Sequence, residues 1–216
     1  MRSGDLTFGF SESSGELVSL RRDEHELLKT PVRFDCFRLP VGGETFYRPE
    51  NVHFGRSRAR YGLRVMVPRL QSPIEVCESE SGVHVVTRQL FKGSRSEDFP
   101  GYGHGNSATI EDCGPVPEDA PRFEVKSEWG FTMDGIARLR SVFKQSGTAE
   151  VSRVGWRFLF VTDRDEVSYL AQGPHANYSD RMTGSFLGRW NLPSTDFGGN
   201  FGTSQDGGNR EEARDV

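Results

Sequence analysis

Between Gly173 and Arg181 the chain sets His175, Asn177, Tyr178, Asp180 and Arg181 with almost nothing apolar among them. These residue types can do chemistry. An imidazole can pass a proton near neutral pH, a carboxylate can accept one, and a guanidinium can fork onto a carboxylate. No helix or strand period accounts for the spacing, so the segment reads as an ordered, hydrogen-bonded loop. Gly173-Pro174 opens it as a turn pair. Asn177 and Asp180 can bond the backbone of their own turn, and Asp180 with Arg181 makes a local ion pair.

The elements that must position this loop read as strands. Val167, Tyr169 and Ala171 alternate along Glu166 to Gln172 and deliver the chain to it. Upstream, Phe123 to Met133 alternates apolar and polar residues over about eleven positions, as a half-buried strand does. Asp134-Gly135 follows as a hairpin turn, and Ile136 to Lys144 returns. Val154, Trp156, Phe158 and Phe160 predict a further strand ending near Thr162, with Trp129 and Trp156 in core packing. Two more hairpins are expected, Leu6 to Phe10 with Glu16 to Leu20, and Ile74 to Glu78 with Val83 to Phe91. His25 to Lys29 extends the first. Residues 93 to 120, rich in Gly and Pro, read as a long loop. A short helix is expected across 50 to 62, in a stretch where arginines alternate with aromatics as a solvated face. Residues 196 to 216 hold many glycines and charges and are expected to be poorly ordered, leaving 1 to 195 as one domain.

Composition narrows the function classes. The 216 residues include 16 Phe, 5 Tyr and 3 Trp, enough bulk for a sizeable core, and the formal net charge is −4. An acidic average argues against a nucleic-acid partner. No run approaches the roughly 18 apolar residues of a membrane span, and the first ten residues lack a signal-peptide layout. Cytoplasmic localisation is therefore the expectation. Cys36, Cys77 and Cys113 are an odd number without a CxxC, which predicts reduced, buried thiols rather than a disulfide framework or zinc site. Glu16, Glu24 and Glu26 fall near turns and read as solvated.

The central loop carries a resemblance. Gly173-Pro174-His175, Asn177-Tyr178 and Asp180-Arg181 with Thr183-Gly184 are similar to the GPHENYPDR signature of the C-terminal domain, or small chain, of bacterial β-galactosidases of glycoside hydrolase family 2. Ala176 stands where that family has a glutamate. Ser152 to Phe158 resembles the strand preceding this signature. Pro31, Arg33, Phe37, Arg38 and Pro40 align with the family's PxRPNFWRAPTDND segment, although Val41-Gly42-Gly43 replaces Thr-Asp-Asn and Glu44 stands for the last Asp. Gln205 to Arg214 resembles QENGNRTDVR, retaining Gly208, Asn209, Arg210 and Arg214.

The resemblance implies an all-β, galactose-mutarotase-like β-sandwich (a supersandwich), truncated at its C-terminal end. It also implies that the catalytic glutamates, which must face each other roughly 5 Å apart in a retaining glycosidase, lie on a separate (β/α)8 barrel domain or large chain, the expected partner. Gly173, Pro174, His175, Asn177, Tyr178, Asp180 and Arg181 would form a structural loop, and Arg38 and Glu44 would line the sugar site. Mutarotases use a His and a Glu for proton transfer, but Ala176 removes the acidic neighbour of His175, so loop orientation is preferred. No cofactor is expected in this chain; the complete family enzyme often uses Mg and Na bound elsewhere. The leading reading is a β-galactosidase component for terminal β-galactosides such as lactose. A free-standing sugar-binding or mutarotase-like module and an inactive homologue are the alternatives. Edges left by the shorter domain predict a partner chain, a homo-oligomer or low solubility.

Overall fold

The computed structural model describes residues 1–36, 62–63, 65–94, 116, 118–147, 151, 153–162, 165–177, 182–197 and 210–214. They fall into two compact units divided after Val161, inside the span expected to form one domain. The fold is all-β. Its one described helix is a single turn, Ser194–Phe197, and among the described residues no helix is long and apolar enough to cross a membrane.

The first unit is a sandwich of two antiparallel sheets. One has four strands in the order β1 (Arg2–Ser3), β2 (Leu6–Phe10), β3 (Leu17–Arg22) and β4 (His25–Glu26). β5 (Arg33–Asp35) follows in the chain. The second sheet contains β6 (Val65–Leu70), β7 (Glu75–Ser79), β8 (Gly82–Ser94), β9 (Arg122–Thr132) and β10 (Ala137–Ser146). β8 lies between β9 and both β6 and β7, and β10 closes the side beyond β9. The alternation along β9 has the expected consequence: Phe123, Val125, Ser127, Trp129 and Phe131 are buried while Arg122, Glu124 and Lys126 are exposed. The β9–β10 hairpin turns through Met133-Asp134-Gly135. Thr132 N–H donates to Ile136 O (2.9 Å), and Gly135 takes the positive φ (79°) that this short loop demands.

Two apolar clusters fill the unit. In the first, Leu6, Phe8, Leu17 and Leu20 of the four-stranded sheet meet Val83, Val85, Trp129 and Phe131 of the larger one. The rings of Phe8 and Phe131 stack at 3.7 Å between centroids. The second gathers Phe34, Cys36, Leu63, Phe91, Phe123 and Val125. Between them runs a polar row on the same sheet face, Thr87 opposite Ser127 and Ser127 opposite Ser141. Ser127 and Ser141 hydroxyls are 3.1 Å apart, Trp156 Nε1 donates to Ser141 Oγ (2.9 Å), and Gln89 Nε2 donates to Ser14 O (2.7 Å). Buried polar atoms here are satisfied, as they must be.

Several expectations are corrected. The strand expected up to Thr162 is only β11 (Gly155–Arg157), paired with β5, followed by an isolated bridge between Leu28 and Phe160. Trp156 packs against both clusters. Phe158 and Phe160, of the same parity, are exposed and stack on each other at 5.9 Å, because a two-stranded pairing three residues long cannot cover a longer face. Cys36 is buried, but Cys77 is exposed on β7. Cys113 and the helix expected across 50 to 62 lie outside the described residues, apart from a turn at Gly62.

Glu26 is not a solvated carboxylate. It accepts hydrogen bonds from Ser19 Oγ, from the N–H groups of Leu20 (2.9 Å) and Leu28 (3.1 Å), and from Arg21 Nε (3.3 Å), tying β3 to β4 and the segment beyond. Burial opposes ionisation of this carboxyl, but these donors outweigh it and hold the pKa at about 2 against an ordinary 4.5. A folded value below the unfolded one means stability fully present above pH 4.5 and lost as pH falls towards 2. In Glu26→Gln the acid-side decline in urea unfolding midpoint over that window should flatten; an unchanged slope would refute the role given to this carboxylate.

Candidate functional site

The motif loop belongs to the second unit. There β12 (Glu166–Gly173) pairs along its full length with β13 (Phe186–Pro193), from Glu166 opposite Pro193 to Gly173 opposite Phe186. β12 alternates so that Tyr169, Ala171 and Gly173 are buried on one face. Its other edge is taken by residues 210–214. Gln172 N–H donates to Glu211 O (3.0 Å), and Arg214 N–H donates to Leu170 O (2.9 Å). Part of the segment expected to be poorly ordered is thus tied to the strand that delivers the motif.

Close packing explains the glycine that opens the motif. A Cβ on Gly173 would sit 2.7 Å from Trp190 Nε1 and 2.9 Å from Tyr169 Oη, so no other residue fits without displacing both rings. The Gly173-Pro174 peptide is cis. Tyr169 Oη donates to Pro174 O (2.8 Å), and Trp190 Nε1 donates to Ala171 O (3.2 Å).

Asn177 is fully buried. Its Nδ2 donates to Gln172 O (2.8 Å) and to His175 O (3.3 Å), while its Oδ1 accepts from Glu211 N–H (2.7 Å). One amide side chain therefore holds the end of β12, its own turn and the 210–214 segment together. Arg210, itself buried, donates through Nε to Tyr169 Oη (3.1 Å). Its guanidinium lies 5.3 Å from the centre of that ring, in cation–π range. His175 presents an exposed side chain and contributes its carbonyl. Tyr178, Asp180 and Arg181, with the ion pair expected between the last two, lie outside the described residues.

The two other family-like segments also meet. β5 and β11 pair with Asp35 opposite Gly155 and Phe34 opposite Trp156. The Asp35 carboxylate accepts from Arg153 (2.6 Å) and from Arg157 (3.3 Å) beside an open groove of about 390 Å³ lined by these residues, Trp156 and Phe158. Next to it, burial pushes the Cys36 thiol up to about 12, with the Asp35 charge adding and Arg153 offsetting. This thiol stays protonated and is no nucleophile. Arg38 and Glu44 lie outside the described residues.

Sequence reasoning found Asn177 and the turn pair but not Tyr169 or Trp190 as motif partners, nor Arg210 as a buried one. The available signal was parity: Tyr169 shares the face of Ala171 and Gly173. The arrangement is positional. Most of its described bonds go to main-chain carbonyls and amides, with Arg210 Nε on Tyr169 Oη the side-chain exception, and it builds a fixed loop on a hairpin.

The first unit is an all-β sandwich, and the second displays a cis-Pro, Asn-locked loop on a hairpin; comparison with known proteins gives the family. Residues 2–216 match the family described as beta galactosidase small chain, and the chain belongs to that family. It is similar to a β-galactosidase of Aeromonas hydrophila, 37% identical over 81 residues that make up 35% of this chain and 8% of the relative. A β-galactosidase of Klebsiella pneumoniae is 36% identical over 72 residues, 32% of this chain and 7% of that protein. One of Erwinia tasmaniensis is 24% identical over 189 residues, 85% of this chain and 16% of the relative. The chain therefore spans a small fraction of the length of the relatives it matches.

Replacing Asn177 by Ala leaves the Glu211 N–H and the Gln172 carbonyl without this partner, at about 1–3 kcal/mol for each buried group stranded. Amide hydrogen exchange at Glu211 should lose protection before the first unit is affected. Full protection in the variant would show that the segment is held by something else.

Proposed function

We propose that this chain is the non-catalytic component of a β-galactosidase working in the cytoplasm. In this reading it supports a separate large chain or domain whose (β/α)8 barrel carries the two glutamates that cleave terminal β-galactosides such as lactose, together with any Mg²⁺ or Na⁺ the enzyme uses. The observation that carries the reading is the family match over residues 2–216, joined to the small share, 16% or less, of each cited relative that the chain spans. The remaining length of such relatives is ample for a barrel, whereas the element order among the described residues contains no alternating β/α pattern.

The carboxylate singled out by its contacts supports it. Glu26 accepts from four donors that hold its carboxyl well below the ordinary range. A general acid must instead hold a proton near the working pH. The motif loop offers a partner shape, a turn whose main chain is fixed by Asn177 and Tyr169 and whose His175 ring faces outward.

The test is hydrolysis of nitrophenyl-β-galactoside by the purified chain, alone and mixed with a family 2 large chain. Activity is expected only in the mixture, with Asn177→Ala lowering it through weaker assembly. Turnover by the chain alone would overturn the reading, and so would a mixture no more active than the large chain by itself.

A further inference from the structure

The five-stranded sheet has a second face, turned away from the two apolar clusters, and its charge is unlike that of the chain. Register places Arg138, Arg140 and Lys144 of β10 on that face beside Gly130, Glu128 and Glu124 of β9. Arg122 and Lys126 of β9 stand opposite Lys92 and Arg88 of β8, and Arg69 of β6 stands opposite Leu90. Against these eight cations the face carries three carboxylates, Glu75, Glu124 and Glu128. The excess is five positive charges on one sheet face of a chain whose formal net charge is −4.

The carboxylates are already engaged. Glu75 pairs with Arg88, Glu128 with Lys126 at 2.5 Å and Glu124 with Lys144 at 3.6 Å. Arg69, Lys92, Arg122 and Arg138 make no ion pair with a carboxylate among the described residues, and Arg140 acts on Glu128, across the ladder, through its charge alone. They are fixed on a hydrogen-bonded ladder, across four neighbouring strands at roughly 4.8 Å spacing. Between them lie exposed Val67 and Val142, 49% and 58% accessible, and no Phe, Tyr or Trp.

We infer that this face is a docking surface for an acidic face of a partner protein, which on the reading above, and resting on it, is the large chain. Placing so many like charges on one rigid face costs self-repulsion unless an opposite surface meets them, and complementary charge sets orientation and association rate. Cations interleaved with valines suit a protein surface. Single-stranded nucleic acid would call for aromatic platforms on which bases stack, and the described residues of this face include no Phe, Tyr or Trp.

The experiment measures association of the full chain with a family 2 large chain by surface plasmon resonance at 50 and 300 mM salt. Wild type should associate at least about tenfold more slowly at the higher salt. Arg138→Glu with Arg140→Glu should reproduce about that loss at low salt, and Arg138→Ser with Arg140→Ser should show a smaller loss. Lys29→Glu, off this sheet, should leave the rate unchanged. Melting curves matching wild type certify the folds, and the serine pair serves if the glutamate pair melts early. Association and activity that ignore salt and these substitutions would overturn the docking surface while leaving the β-galactosidase reading intact. No association by wild type would overturn that reading and the partner with it. Equal retention of a random oligonucleotide would replace a protein partner by nucleic acid and overturn the inference.

Discussion

The β8–β9 ladder is the constraint on which the first unit depends. Eleven consecutive residue pairs, from Gly82 opposite Thr132 to Lys92 opposite Arg122, hold one register. A slip by one residue would send Phe123, Val125, Trp129 and Phe131 to the charged side and Arg122, Glu124 and Lys126 into the core. Since both apolar clusters draw on these strands, the same ladder fixes where the four-stranded sheet docks and where Phe34 and Cys36 are buried. The row of Thr87, Ser127 and Ser141 between the clusters adds specificity. Its hydroxyls need partners, and they have them only when β10 and Trp156 arrive in register.

What could be read from the sequence follows from how locally each element is determined. Period-two alternation over eleven residues and an Asp-Gly turn made β9 and its hairpin legible, as did the turn-flanked runs around β2, β3, β7 and β8. β13 was not legible. Its partner β12 lies across a connection of twelve residues, and its exposed Phe186 and Leu187 break the alternation a reader would seek. β5 and β11 are three-residue strands more than a hundred positions apart, paired by tertiary packing rather than local propensity. Glu26 was misread because its donors, the main-chain N–H groups of Leu20 and Leu28, carry no sequence signal at all.

The motif loop shows the same division inside a single site. Residue types suggested a hydrogen-bonded loop from residue 173 on, and within its described part Asn177 does bond its own turn. They did not disclose that the stronger contacts reach back to Gln172 and forward to Glu211, nor that Arg210 settles on Tyr169. A Gly-rich, charged tail looks unfavourable to order because it has little apolar area to bury. Two main-chain bonds to the free edge of β12 and one guanidinium over an aromatic ring supply order by another route.

Average charge misleads for a related reason. A net charge of −4 is a sum over the whole chain, whereas partners meet surfaces. Strand alternation sorts residues by face before any partner is present, so every second residue of β8, β9 and β10 contributes to one plane. Glutamates on β7 and β9 pair with some of the cations, across the ladder or along one strand, yet the remaining arginines and lysine stay on the same side. The acidic balance of the molecule therefore resides elsewhere in the chain. A composition-level argument that excludes basic interaction surfaces fails for any sheet whose polar positions are chosen face by face, and the period of two that exposed the core is the same property that concentrates the charge.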